Sequence, residues 1–347
     1  MLGVFASVAW LGHNAVGALA RRNIDLDFGF LLNRAGFDIP FRLAEWDSAD
    51  SYARALLLAA LNTLLASLLA IIGATLLGLL LALMRLSLNP LARTLSRGTI
   101  ELVRNTPQLL QVVFWYFAVL QALPGTRQSL FLGTAAFLNV RGLFLPAPTA
   151  PWFPGFATVA FLLLVPLPLL IRKQARPLAI AGLLTLAAAL ALSPWNLPAL
   201  RGFNFTGGWR LPPELLALSL GIAIYTSAFV AENIRASITA VAPGQTEAAR
   251  SLGLSNARTM RLVVLPQALR TLLPPLTSQY LNVIKSTTLG AAIAYPEILQ
   301  VYARTVLNQS GRAVEVMTVV LAVFLAINLG VSAAMNRWDR RLARQSR

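Results

Sequence analysis

With 57% hydrophobic and only 12% charged side chains among 347 residues, and a mean hydropathy of +0.67, the chain is too apolar for a soluble domain. Its net charge of +16 is therefore read as a report of membrane orientation, not as a nucleic-acid footprint. The absence of cysteine excludes disulfides and thiolate metal sites, and the one histidine, His13, sits in an apolar run that suits a tolerated polar residue better than a metal ligand.

A hydrocarbon core of roughly 30 Å takes about 20 apolar residues per helix. On that criterion about eight spans are predicted, near 1–19, 54–85, 106–123, 155–171, 177–193, 213–234, 271–295 and 314–335. The expected fold is all-α, a polytopic membrane helical bundle. The first span ends in Ala18-Leu19-Ala20, which resembles a signal-peptidase site, but Arg21-Arg22 follow the apolar run where a leader would have them precede it. It reads as an uncleaved helix, and its start without a basic anchor leaves room for residues upstream. The second span is long enough to tilt or to extend past the bilayer. The fourth and fifth, separated only by Arg172-Lys173-Gln174-Ala175-Arg176, predict a helical hairpin at 155–193 whose Pro166 and Pro168 a bundle tolerates. The chain thus divides into an N-terminal helix with its following segment, 1–53, and a transmembrane domain, 54–347, that carries the hairpin and a polar loop at 235–270.

Basic residues fix the expected orientation. One set of loops, including 235–270 and the C-terminal tail, holds 17 Lys and Arg, against 11 on the other side, where six carboxylates also lie. The positive-inside rule places the 17-charge side in the cytoplasm, with both termini inside. The outer segments near 20–53, 124–154 and 194–212 are rich in Pro, Gly, Trp and Phe. Their Trp46, Trp152, Trp195 and Trp209 suit the headgroup zone, or else a platform for a soluble partner.

No phosphate-binding Gly-rich loop, dinucleotide fingerprint, His/carboxylate cluster or plausible hydrolase triad occurs. Catalysis by this chain alone is not expected, and active transport would need energy from a partner or a coupled ion. The polar loop runs Pro243-Gly244, then Gln245-Thr246-Glu247-Ala248-Ala249-Arg250-Ser251-Leu252, then Gly253. Pro and Gly break the preceding helix, Thr246 and Glu247 suit a helix start, and Gly253 suits a helix end. The result is a helix of about two turns, too short to stand alone, held either by a docking partner or by its own chain.

Glu247-Ala248-Ala249, Gly253 and Val263-Val264-Leu265-Pro266 together resemble the EAA loop of permease subunits from bacterial ABC importers, with Val263 standing where Ile is commoner. Arg104-Asn105-Thr106-Pro107, the run Tyr225–Glu232, and Lys285-Ser286-Thr287-Thr288-Leu289 resemble the polar amino-acid branch of that family. Gly29-Phe30-Leu31, Ala35–Ile39 and the inserted hairpin resemble its general L-amino-acid permeases. The resemblance implies a type I ABC importer permease-like core in a bacterial inner membrane, importing L-amino acids. Glu247, Ala248, Ala249, Gly253, Val263, Leu265 and Pro266 would couple to a cytoplasmic ABC ATPase dimer. ATP and Mg would be bound there, with no cofactor in this chain. A second permease subunit, related or identical, and a periplasmic amino-acid-binding protein would complete the assembly.

Ionisable groups inside a span are costly and tend to mark a pathway. On that ground Arg104, Asn105, Thr106, Gln108, Glu232, Lys285, Ser286 and Thr287 are substrate-path candidates. Lys285 would meet a substrate carboxylate or pair structurally with Glu232. Thr106 would open a carboxylate-binding helix start or serve as a plain cap, and Arg104 would be a pathway residue or a positive-inside anchor. The rival class is an ion-gradient-driven secondary transporter, which would show matched broken helices in inverted repeats.

Overall fold

The computed structural model describes residues 26–133, 135–149 and 176–344, together with Gly3, Trp10, Asn14 and Gly17. The predicted spans at 1–19 and 155–171 and Trp152 lie outside the described residues, those single positions apart.

Three described helices are long and apolar enough to cross a membrane. They are α1 (Tyr52–Leu86), α5 (Pro213–Thr239) and the first part of α10 (Ala313–Arg344). Their bounds contain the predicted spans at 54–85, 213–234 and 314–335. Between α1 and α5 come α2 (Pro90–Asn105), α3 (Gln108–Val113), which runs into a π-helical segment Phe114–Leu120, and α4 (Arg176–Leu192). After α5 come α6 (Pro243–Ser251), α7 (Asn256–Thr259), a π-segment Met260–Val264 and α8 (Leu265–Ser286). The chain then passes through a 3-10 helix Thr287–Ile293, a third π-segment Leu299–Val306 and α9 (Leu307–Ser310) to α10.

The bundle is organised around α1 and α5, which run parallel. On α1, Tyr52 and Leu58 apart, the buried positions are small or polar, among them Ala55, Ala59, Asn62, Ala66, Ala70, Ala74, Gly78 and Ala82. Many of its leucines, among them Leu64, Leu68, Leu76 and Leu83, point outward. That inverts the soluble pattern, because against lipid tails the gain comes from close backbone approach, not from hiding leucine. A Cβ added to Gly73 would stand 2.9 Å from the Ala223 Cβ, and one on Gly78 would stand 2.7 Å from the Val230 Cβ. Gly221 admits α3 in the same way, since a Cβ there would lie 2.9 Å from the Val112 Cα. On α10, Leu321, Leu325 and Leu329 recur every four residues and are exposed, a lipid-facing stripe.

The segment before α1 folds onto the starts of α1 and α10. Phe30, Ile39 and Trp46 form one buried cluster with Tyr52, Tyr302 and Val316. The Trp46 Nε1 donates to the Phe37 carbonyl at 3.2 Å, and Arg312 reaches Asp27 at 3.0 Å. Trp46 is therefore a core residue and not the headgroup-zone ring expected from composition. Neighbouring turns hold a buried polar network. The Asn62 amide donates to the carbonyls of Phe41 and Pro296, both at 2.9 Å. The Tyr295 hydroxyl donates to the Asn62 carbonyl at 2.9 Å. Glu297, fully buried, accepts from the Leu299 and Gln300 N–H groups at 2.8 and 2.6 Å, which opens the third π-segment. Ala294, at φ 59°, is the one described non-glycine residue with positive φ, and it makes the turn between these elements.

Eight short strands, unforeseen in the sequence reading, build the region between α3 and α5. Strands β1 (Leu130–Leu132), β2 (Ala136–Asn139), β3 (Gly142–Leu145) and β8 (Trp209–Leu211) form an antiparallel sheet in the order β1-β2-β3-β8. Strand β4 (Ala147–Pro148) pairs with β5 (Trp195–Asn196), and β6 (Ala199–Arg201) with β7 (Asn204–Thr206). Phe205 stacks between Phe137 and Phe144, with ring centroids 4.7 and 4.8 Å away. Gly142, at φ 120°, lies where a side chain would strike the Leu211 carbonyl, so the β3–β8 pairing requires glycine. The sheet leads directly into α5, so it and α6 stand at opposite ends of that helix.

Candidate functional site

At the far end of α5 the chain reverses into α6. Pro243 takes a first-turn position, where its missing N–H costs nothing. Pro243-Gly244, expected only to break α5, therefore opens the next helix. The Leu252 and Leu254 N–H groups donate to the carbonyls of Ala248 and Ala249, each at 3.1 Å. Gly253 follows at φ 80°, the left-handed value that closes a helix without steric cost in glycine.

Of the α6 residues only Ala249 is buried, where α6 packs on the chain's own return through α7 and Met260–Val264. Glu247, Ala248 and Gly253 are exposed, as are Leu265 and Pro266 at the start of α8, while Val263 is half-buried. Leu252 is 83% exposed. The Gln267 amide donates to Gln245 at 3.3 Å and ties α8 to α6. Behind α6 lies a cavity of about 360 Å³ whose lining includes Ile238, Thr246, Arg250, Asn256 and Met260. The predicted polar loop is thus mostly helical, a ledge that buries a single alanine and leaves its charged and leucine side chains uncovered.

A second constellation lies at the break between α2 and α3. The Thr106 hydroxyl donates back to the carbonyls of Leu102 and Val103, at 3.3 and 3.0 Å. Thr106 therefore closes α2 and does not cap α3. The Gln111 amide donates to the Thr106 hydroxyl at 2.7 Å. The Gln108 amide oxygen accepts from the Ser286 hydroxyl at 3.0 Å, which joins α3 to the end of α8. Lys285 is exposed in the last turn of α8. Thr287 is buried and donates to the Ile284 carbonyl at 2.7 Å.

The remaining candidates fall elsewhere. Glu232 accepts from Arg235 at 2.8 Å and lies 3.8 Å from Arg85. The Lys285–Glu232 pair weighed from the sequence does not form, and no carboxylate reaches Lys285 among the described residues. The Arg104 guanidinium lies over the Phe229 ring at 5.1 Å, and Asn105 ends α2, exposed. On the same helix, the hydrogen bond from Arg97 holds the Glu101 carboxyl below the usual carboxylate range. Gln111 was missed, although a second glutamine three residues after Gln108 in an apolar span was a usable signal. Asn62, a lone amide inside the 54–85 run, was another.

Two geometries are now in view: an uncovered ledge at one end of a membrane bundle, and a polar seam where α3 meets α8. The sequence profile of binding-protein-dependent transport system inner membrane components matches residues 205–344, from the sheet's last strands through α10. A putative amino-acid ABC transporter permease protein of Escherichia coli is 46% identical, over 99% of this chain and 92% of the relative. A general L-amino acid transport system permease protein of Rhizobium johnstonii is 38% identical, over 97% and 88%. The chain belongs to the ABC transporter permeases of binding-protein-dependent systems. A glutamate/glutamine/aspartate/asparagine transport system permease protein of Rhodobacter capsulatus is 32% identical, over 100% of this permease and 92% of its relative. Among solved structures, an amino acid ABC transporter crystallised with histidines is similar in fold, at TM-score 0.54 and 23% identity, over 84% of this chain and 95% of that one. The permease profile takes in both the ledge and the α8 half of the polar seam.

Proposed function

We propose that this permease is the membrane subunit of an importer that carries L-amino acids from periplasm to cytoplasm, driven by a pair of cytoplasmic ABC ATPase subunits that bind ATP and Mg²⁺. The ledge end faces the cytoplasm, as do both termini. A second permease subunit and a periplasmic amino-acid-binding protein complete the assembly. Three relatives at 32 to 46% identity across nearly the whole chain carry amino-acid transport in their names, which supports the substrate class.

The observation that carries the coupling role is that α6 buries a single residue, Ala249, against its own chain. A nine-residue helix is too short to be stable in isolation. An outward face with Glu247, Ala248 and Leu252 uncovered offers an ATPase groove both charge and close approach. ATP-driven closure of the ATPase pair then moves α6, and with it α5 and α8. On the substrate side, the Gln108–Ser286 seam with Lys285 beside it supplies hydroxyl, amide and ammonium groups suited to an amino-acid carboxylate.

Glu247→Lys tests the coupling role. The variant inserts and folds normally, loses ATPase binding in co-purification, and transports at background level. Wild-type uptake by that variant, or uptake by the permease alone without ATP, overturns the proposal; the latter outcome would favour an ion-driven transporter.

A further inference from the structure

We propose that the sheet between α3 and α5 is an anionic-phospholipid docking platform, seated in the headgroup layer of the leaflet at its end of the bundle. Between Glu101 and Glu214 the sequence contains no carboxylate, and the sheet region carries Arg127, Arg141, Arg201 and Arg210, all exposed. None of the four pairs with an acid among the described residues. Their own chain positions two of them. The Arg127 guanidinium lies over the Phe203 ring at 4.8 Å, and the Arg210 Nε donates to the Arg141 carbonyl at 3.2 Å. The Thr126 hydroxyl donates to the Phe203 carbonyl at 3.1 Å, which holds the β6–β7 hairpin beside Arg127.

The surface around these arginines is apolar. Phe131 is 74% exposed and Phe203 72%, and Trp195, Trp209 and Leu200 are exposed as well. Guanidinium groups interleaved with uncovered aromatic and leucine side chains match an interface of phosphate above and acyl chain below. An acidic soluble partner would satisfy the arginines but leave that apolar surface unexplained. Connectivity sets the depth. Trp195 follows the apolar helix α4 by three residues, and Trp209-Arg210 precede Pro213 of α5. The platform therefore hangs directly on the ends of an apolar helix and of the membrane helix α5. Each arginine near an anionic surface contributes roughly a fivefold preference.

The chain has no cysteine, so a single Leu200→Cys in β6 can be labelled cleanly with bimane. The full-length protein is reconstituted in nanodiscs of phosphatidylcholine and phosphatidylglycerol, with bromine on one lipid at a time. Brominated phosphatidylglycerol is expected to quench severalfold more strongly than brominated phosphatidylcholine. That preference disappears when all four arginines are changed to Gln, and it survives Arg93→Gln with Arg97→Gln at the opposite end. Should the fourfold variant fail to fold, Arg201→Gln alone, on an exposed hairpin, must reduce the preference. Absence of quenching by either lipid would place the platform in water and point to a soluble partner. Equal quenching by both lipids, or a preference unchanged in the arginine variants, would equally overturn the assignment.

Discussion

Lys285 shows how a residue changes meaning once its surroundings are known. In sequence it is a lone ammonium in an apolar run, with Glu232 as one available partner. In the structure Glu232 is occupied by Arg235 and Arg85, and Lys285 stands exposed beside the Gln108–Ser286 hydrogen bond. A charged hydrogen bond to a substrate carboxylate is worth about 1.5–3 kcal/mol, so Lys285→Gln should raise the KM for uptake by roughly ten- to a hundredfold. Proteoliposome transport with partner subunits measures this; an unchanged KM would assign Lys285 to structure. Asn62 is the opposite case, a buried amide bridging two carbonyls from separate segments. Asn62→Leu strands both acceptors at about 1–3 kcal/mol each, visible as a lower melting temperature in detergent. The residue types at these sites were legible in the sequence, and their pairings were not. Nothing in one chain's spacing reveals that Arg85, 147 positions before Glu232, will meet it.

At the scale of elements, hydropathy located the starts of α1, α5 and α10 to within two residues, because each helix meets the bilayer-length criterion unaided. It gave no sign of the sheet. Strands of two to four residues are too short to show alternation, and their register depends on glycines such as Gly142 placed against a distant carbonyl. The packing of α1 on α5 is the feature most sensitive to change. Gly78→Leu forces a side chain into Val230 and the Ser227 carbonyl, where overpacking costs about 1–3 kcal/mol or more, so the detergent-solubilised permease should aggregate at lower temperature. Gly98→Ala on α2, where a Cβ meets nothing within 4 Å, should instead leave stability unchanged or raise it by about 0.5–1 kcal/mol. Comparable effects from the two substitutions would show that helix propensity, not close approach, governs this bundle.

At the scale of the whole molecule, two exposed helix faces have opposite chemistry. On α10, Leu321, Leu325 and Leu329 suit lipid. On α8, Thr271, Ser278, Asn282 and Lys285 are exposed, a polar stripe costly to leave against acyl chains. If a second permease covers that stripe, benzophenone-maleimide on Ser278→Cys should photo-cross-link to a permease chain and on Leu321→Cys to lipid alone. A lipid-only adduct at position 278 would remove that face from the subunit contact. The glycine and alanine zipper between α1 and α5 has a further consequence. Two helices in backbone-to-backbone contact cannot slide or rotate independently, so the pair behaves as one stiff lever. The 27 residues of α5 make it about 40 Å long, with the ledge fixed to one tip and the sheet to the other. A push on the ledge is therefore expected to reach the other end of α5 as a swing of the sheet.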